Sequence, residues 1–321
     1  MSEPTTLRME ALRVSRIAIY ALTLLVGWFV GVSAANAAAR EFQINTSASA
    51  SASSPERFVW PERLQEVCAE IPRKAELHGK ETQKAQRSQD PPLPVTGYQA
   101  RTIEGWTVFV SDVLLEKENE ASSRALDLVQ KHLGEIVRVV PAPAVARLRA
   151  VPLWFSPTYP VARPRAEYHP DVGWLRKNGR NPAMAKGIEF TNIRIFAEET
   201  RRMPAFVLHE LAHSYHDQVL GFDNTEIKAV YRRAVESKSY DAVERSFGNP
   251  AKKNTIERAY AMTDAKEYFA ETTEALFGRN DFYPFNRAEL EKQDPEMYRL
   301  LRCLWQCDAA STLPANGTGR L

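Results

Sequence analysis

Apolar positions change their period several times along this chain. Across Thr102–Ser111 a run rich in β-branched and aromatic residues is broken by Glu104-Gly105, which predicts a hairpin turning at that pair. From Ala121 to Val139 the period lengthens, and Ala125, Leu126, Val129, Leu133 and Ile136 fall on one helical face. Val151–Ser156 is a short apolar run that reads as a strand, and Gly187–Asn192 and Arg194–Glu198 read as one or two more. From Pro204 onward the pattern is mainly helical. Strands with helices, followed by a helical half, predict an α+β domain with a small mixed or antiparallel sheet.

The helical half begins with an apolar run, Ala205-Phe206-Val207-Leu208, that continues through Leu211, Ala212 and Val219-Leu220. Pro204 suits the first helical position, and Gly221 suits a stop. Within that run lies His209-Glu210-Leu211-Ala212-His213. Two imidazoles four residues apart on a helix stand on one face and can reach one metal ion, with Glu210 beside them to take a proton from a water on it. This is the HExxH pattern of zinc peptidases. Chance produces it on the order of once in a hundred chains of this His and Glu content. The alternative, a surface helix with scattered polar residues, conflicts with the apolar setting: a buried helix with two His and a Glu needs a partner for them.

A hydrolytic zinc site takes three protein ligands and leaves a position for water. His216 shares the helix face but lies roughly 10 Å along the axis from His209, too far for one ion to bridge from a straight helix. It reads as a packed or ligand-supporting group. A better source is a second helix, Asp264 to Gly278, capped by Thr263 or Asp264 and closed by Gly278. Glu267 and Glu271 sit on it at i, i+4. Like charges at that spacing repel, and a cation on Glu267 with a His N–H on Glu271 would remove the penalty. A solvated acidic face explains the same spacing.

The pair of segments His209-Glu-Leu-Ala-His213 and Tyr260-Ala-Met-Thr-Asp-Ala-Lys-Glu267-Tyr-Phe-Ala-Glu271 resembles the catalytic domain of anthrax lethal factor and its zinc-peptidase relatives, a gluzincin-like HExxH…Glu arrangement. The resemblance covers the two motif helices and their surroundings. It implies a zincin-like domain in which His209, His213 and Glu267 hold one Zn2+ and Glu210 is the general base. It further implies that the Tyr260 hydroxyl assists the reaction and that Glu271 orients a zinc-bound His. An antiparallel edge strand along the cleft, able to bind an extended peptide, follows from the same analogy. The stretches Trp106–Leu115, Tyr168–Pro182 and Asn280–Pro295 are similar to those of exported bacterial proteins that share both motifs and have no assigned activity. The expected function is an exported zinc peptidase acting on a protein or peptide. The alternatives are an exported binding module with a non-catalytic metal and a metal-dependent amidase acting on non-protein amides.

Other features complete the expectation. Arg8, Arg13 and Arg16 precede an uncharged run from Ile17 to Ala35, so residues 1–39 read as a signal peptide or a membrane anchor. Residues 40–94 read as a low-complexity spacer, with alternating Ser and Ala from Thr46 to Ser54, and a short helix from Pro61 to Arg73. Residues 95–308 form the expected catalytic domain, and 309–321 a flexible tail. Tyr168–Pro182, with Trp174 in it, reads as a long loop, and His169 within it as a structural hydrogen-bonding group. A formal net charge of +2 and the absence of a basic stripe argue against nucleic acid as a partner; a membrane enters only through the terminal anchor. Oligomeric state is not legible. Cys68, Cys303 and Cys307 could stay free, or Cys68 could bridge to one of the other two; a Cys303–Cys307 bond one turn apart would strain a helix.

Overall fold

The computed structural model describes residues 94–160 and 162–307. The terminal targeting segment, the Ser/Ala spacer, the Pro61–Arg73 helix, Cys68 and the C-terminal tail lie outside the described residues. Among the described residues no helix is long and apolar enough to cross a membrane.

The fold is α+β: a small mixed sheet followed by a mainly helical half. The sheet is five-stranded, built from β1 (Tyr98–Ile103), β2 (Trp106–Ser111), β3 (Leu153–Phe155), β4 (Ala166–Tyr168) and β5 (Ile188–Phe190), in spatial order β1-β2-β3-β5-β4. β2, β3 and β5 run parallel, and β1 and β4 are antiparallel edges. The β1–β2 hairpin turns at Glu104 and Gly105, both at positive φ (50° and 89°), the pair at which the sequence predicts the turn.

Strand alternation sorts the sheet into two faces. Val108, Leu153 and Ile188 are register partners, as are Val110, Phe155 and Phe190, and all are buried in the main core. The row between them, Phe109, Trp154 and Glu189, points the other way. Phe109 and Trp154 stack 4.2 Å apart there, covered by Leu175 and Met184. Those covering residues come from Tyr168–Pro182 and its continuation, which is no open loop. Tyr168 ends β4, Asp171 caps a helix α4 (Val172–Lys177) through the Trp174 N–H, and Pro182–Met184 form a 3-10 turn. Local capping and burial of Leu175 outweigh the Gly- and Asn-rich composition that suggested a loop. His169 is the structural group expected of it: its Nε2 lies 3.0 Å from the buried Glu189, which also accepts from Arg180 and Tyr159.

α1 (Asp112–Lys117), α2 (Asn119–Val139) and α3 (Ala142–Leu148) follow the hairpin, and α2 buries the face foreseen for it. The expected strand at Arg194–Glu198 is instead a 3-10 turn, Ile193–Ile195, leading into α5 (Phe196–Arg202). Ile193 and Phe196 are its buried residues, spaced three apart. That is a helical spacing, and Phe196 packs on Phe155, Phe190 and Phe206.

The motif helix α6 spans Phe206–Tyr215, so it starts two residues after Pro204. It continues as a π-helical segment, His216–Leu220, before Gly221 ends it at φ 79°. α7 (Thr225–Ser237) follows, then a two-stranded ribbon, β6 (Val243–Arg245) with β7 (Thr255–Glu257), in a region the sequence reads as mainly helical. α8 (Ala265–Phe277), α9 (Arg287–Gln293) and α10 (Pro295–Leu304) complete the described chain. Asp264 caps α8 by accepting from the Lys266 and Glu267 N–H groups. Trp305 joins the elements of the site: it stacks 4.1 Å from Tyr215 of α6 and 5.9 Å from Phe269 of α8, and its indole N–H donates to Thr273. Cys303 is disulfide-bonded and Cys307 keeps its thiol, so the two do not bridge each other.

Candidate metal centre

α6 and α8 pack along each other. The i, i+4 spacing places His209 and His213 on the side of α6 that meets α8, where Glu267 stands in the first turn after the Asp264 cap. The three donor atoms form a small triangle. His209 Nε2 lies 3.1 Å from His213 Nε2 and 3.1 Å from Glu267 Oε2, and His213 Nε2 lies 3.5 Å from Glu267 Oε2. Ligands about 2.0–2.1 Å from one tetrahedral ion stand roughly 3.3–3.4 Å apart. These residues could therefore hold a metal ion. The side chains of His213 and Glu267 keep 12% and 18% of their surface, which leaves one side of the triangle open.

Electrostatics fit the geometry. Burial alone would raise the Glu267 carboxyl, but hydrogen bonds and charge from His209 and His213 hold it well below the ordinary carboxylate range. Burial would depress the His209 imidazole, yet Glu267 and Glu274 together push it well up. Such a ring, rich in negative charge around two imidazoles, suits a cation.

The resemblance gave Glu271 the task of orienting a zinc-bound His. In the structure Glu274 is the nearer acid to His209: Nδ1 is 2.7 Å from Glu274 Oε1 and 3.7 Å from Glu271 Oε1. Both acids are fully buried on α8. The signal was present in the sequence, because Glu267, Glu271 and Glu274 recur at i, i+4, i+7 on one face. The choice between the two acids depends on how α8 is rotated against α6, which no local pattern carries. Burial and the charge of Glu274 push Glu271 well upward, and burial with the charges of Asp281 and Glu210 raises Glu274 to about 7 against its hydrogen bond with His209. Asp281, near them, is also raised by burial, an effect eased by Arg245 and Arg202.

Glu210 faces the opposite flank, toward the edge strand. Its Oε2 accepts the backbone N–H of Tyr168 at 2.9 Å. Tyr260 lies on a 3-10 turn just before α8 and is 47% exposed. Burial raises its phenol pKa first, the charges of Glu267, Glu271 and Glu210 add to this, and that of His209 opposes it. His216 contributes nothing to the triangle. It is wholly buried, with its ring against Phe222 and Phe269, and burial lowers it to about 3, which keeps it neutral.

Comparison of the chain with protein-family models, with curated proteins and with solved structures finds no match in any of the three.

Proposed function

We propose that this protein is an exported zinc peptidase with a zincin-like catalytic domain. The observation that carries the reading is the convergence of His209 and His213 from one helix with Glu267 from another, at ligand-edge distances, with Glu210 one residue from the first imidazole. Bound by these three residues, zinc would supply Lewis acidity toward a carbonyl oxygen and acidify water toward neutral pH.

The remaining chemistry belongs to the chain's own groups. Glu210 is half-buried, with one oxygen held by the Tyr168 N–H and the other available for a proton. It takes the proton of the attacking water and passes it to the amide nitrogen as the C–N bond breaks, so the net change is addition of water across that bond. The Tyr260 O–H donates to the oxyanion that develops on the carbonyl.

The edge strand supports a peptide substrate. Arg165 and His169 direct their backbone bonds toward Thr191 and Gly187 beside β5, so the intervening Ala166 and Tyr168 turn theirs away, toward α6. An extended peptide could add along that edge by main-chain hydrogen bonds. The disulfide at Cys303 suits an oxidising compartment outside the cytosol.

The test is metal analysis of the purified protein, together with a peptide-library cleavage assay on the wild type and on Glu210→Gln. One zinc per chain in both proteins, with cleavage by the wild type alone, is expected. Turnover by Glu210→Gln, or a wild type without bound metal, would overturn the reading.

A further inference from the structure

Tyr168 is bound to the motif helix at two points seven residues apart. Its backbone N–H donates to Glu210 Oε2 at 2.9 Å, and its phenol O–H donates to Asp217 Oδ2 at 2.7 Å. The same Asp217 oxygen accepts from Lys186 Nζ at 2.5 Å. Residues seven apart lie almost on one line along a helix, so Glu210 and Asp217 both face β4. The π-helical segment that begins at His216 carries Asp217. π-turns are rare and recur at functional sites.

The contacts close a loop. Lys186 sits at positive φ (61°), and its backbone N–H donates to His169 O, next in the chain to Tyr168. The Tyr168 ring is buried and stays a donor, because burial and the Asp217 carboxylate hold its pKa far above the ordinary phenol range. The middle of α6 and the π-helical segment after it are thus both tied to one residue of the edge strand, which couples the strand to the Glu210 carboxylate.

We propose that Asp217 and Tyr168 form a positioning clamp that fixes one oxygen of Glu210 and leaves the other free to take a proton. This rests on the peptidase reading above. Asp217 touches neither metal nor substrate in this scheme; it acts through Tyr168. Displacing a reacting group by about 1 Å can lower a rate up to about a hundredfold, so a loosened clamp acts on turnover before it acts on binding.

The experiment compares the full chain with Asp217→Ala and Tyr168→Phe. Three quantities are read: exchange of the Tyr168 amide hydrogen in the metal-free protein, zinc content, and kcat and KM on a peptide the wild type cleaves. The clamp predicts a slowly exchanging amide in the wild type and faster exchange in both variants. It also predicts unchanged zinc content, a kcat lowered roughly tenfold, and KM within about twofold of wild type. Because both substitutions break one contact, the double variant should be no slower than the worse single one. Unchanged amide exchange, an unchanged kcat, a loss confined to KM, or loss of zinc would each overturn the clamp. A wild type that binds no zinc and cleaves nothing would remove the peptidase reading and the clamp's catalytic role with it. Amide exchange reports the contact itself, so the two failures are told apart.

Discussion

His209 Nδ1 meets Glu274 Oε1 at 2.7 Å, while the opposite ring nitrogen, Nε2, faces Glu267 and His213. With a metal ion on Nε2, Nδ1 would carry the hydrogen and donate it to Glu274, leaving the Nε2 lone pair for the ion. Glu274 is fully buried on α8, one turn beyond Glu271, so the helix that supplies the third metal-site residue also aligns the first.

Glu274→Gln should therefore weaken metal binding about 10- to 100-fold, read by competition with a chelator of known affinity. Glu271→Gln, acting on a group 3.7 Å from the same nitrogen, should weaken it less. The reverse order would return the orienting role to Glu271.

Tyr260→Phe tests the oxyanion donor. The ring is 47% exposed at the rim of the site, so loss of its hydroxyl should leave thermal stability and zinc content unaltered. If it donates to the developing oxyanion, kcat should fall about 10²- to 10³-fold with little change in KM. A wild-type rate in the Phe variant would exclude that role.

His132 sets a pH dependence of stability independent of the metal centre. Its ring packs against Phe196 and Phe206, its Nε2 lies 3.1 Å from Thr200 Oγ1, and burial lowers its pKa to about 4 from 6.5. In the unfolded chain His132 takes up a proton below pH 6.5, whereas the folded chain refuses it until about pH 4. The unfolded state thus binds more protons in that window, and stability declines as pH falls through it, by about 1.4 kcal/mol per pH unit for this group. Denaturant midpoints measured between pH 7 and pH 4 should show the decline. His132→Leu should make it shallower, with His216, also lowered by burial to about 3, supplying a slope that remains, and an equally steep profile in that variant would assign the effect to other groups.

Sequence alone determined what local periodicity can encode. The Glu104-Gly105 break in a β-prone run marked the hairpin, and the five-residue face of α2 was legible because a helix repeats its environment every 3.6 residues. The joint placement of His209, Glu210 and His213 follows from the same period, as does the start of α8 at Asp264, where a carboxylate caps exposed N–H groups. Tertiary structure decided the rest. Ile193 and Phe196 took helical form because their spacing buries both against the aromatic cluster, where a strand would have turned one to solvent. Tyr168–Pro182 became strand, helix and turn because the second face of the sheet needed a cover. That Glu267 approaches the imidazoles, that Glu274 rather than Glu271 grips His209, and that Tyr168 meets Glu210 all depend on how α6 lies against α8 and β4. Those relations join residues 42 to 65 positions apart, and they are set by the packing of whole faces rather than by any local repeat.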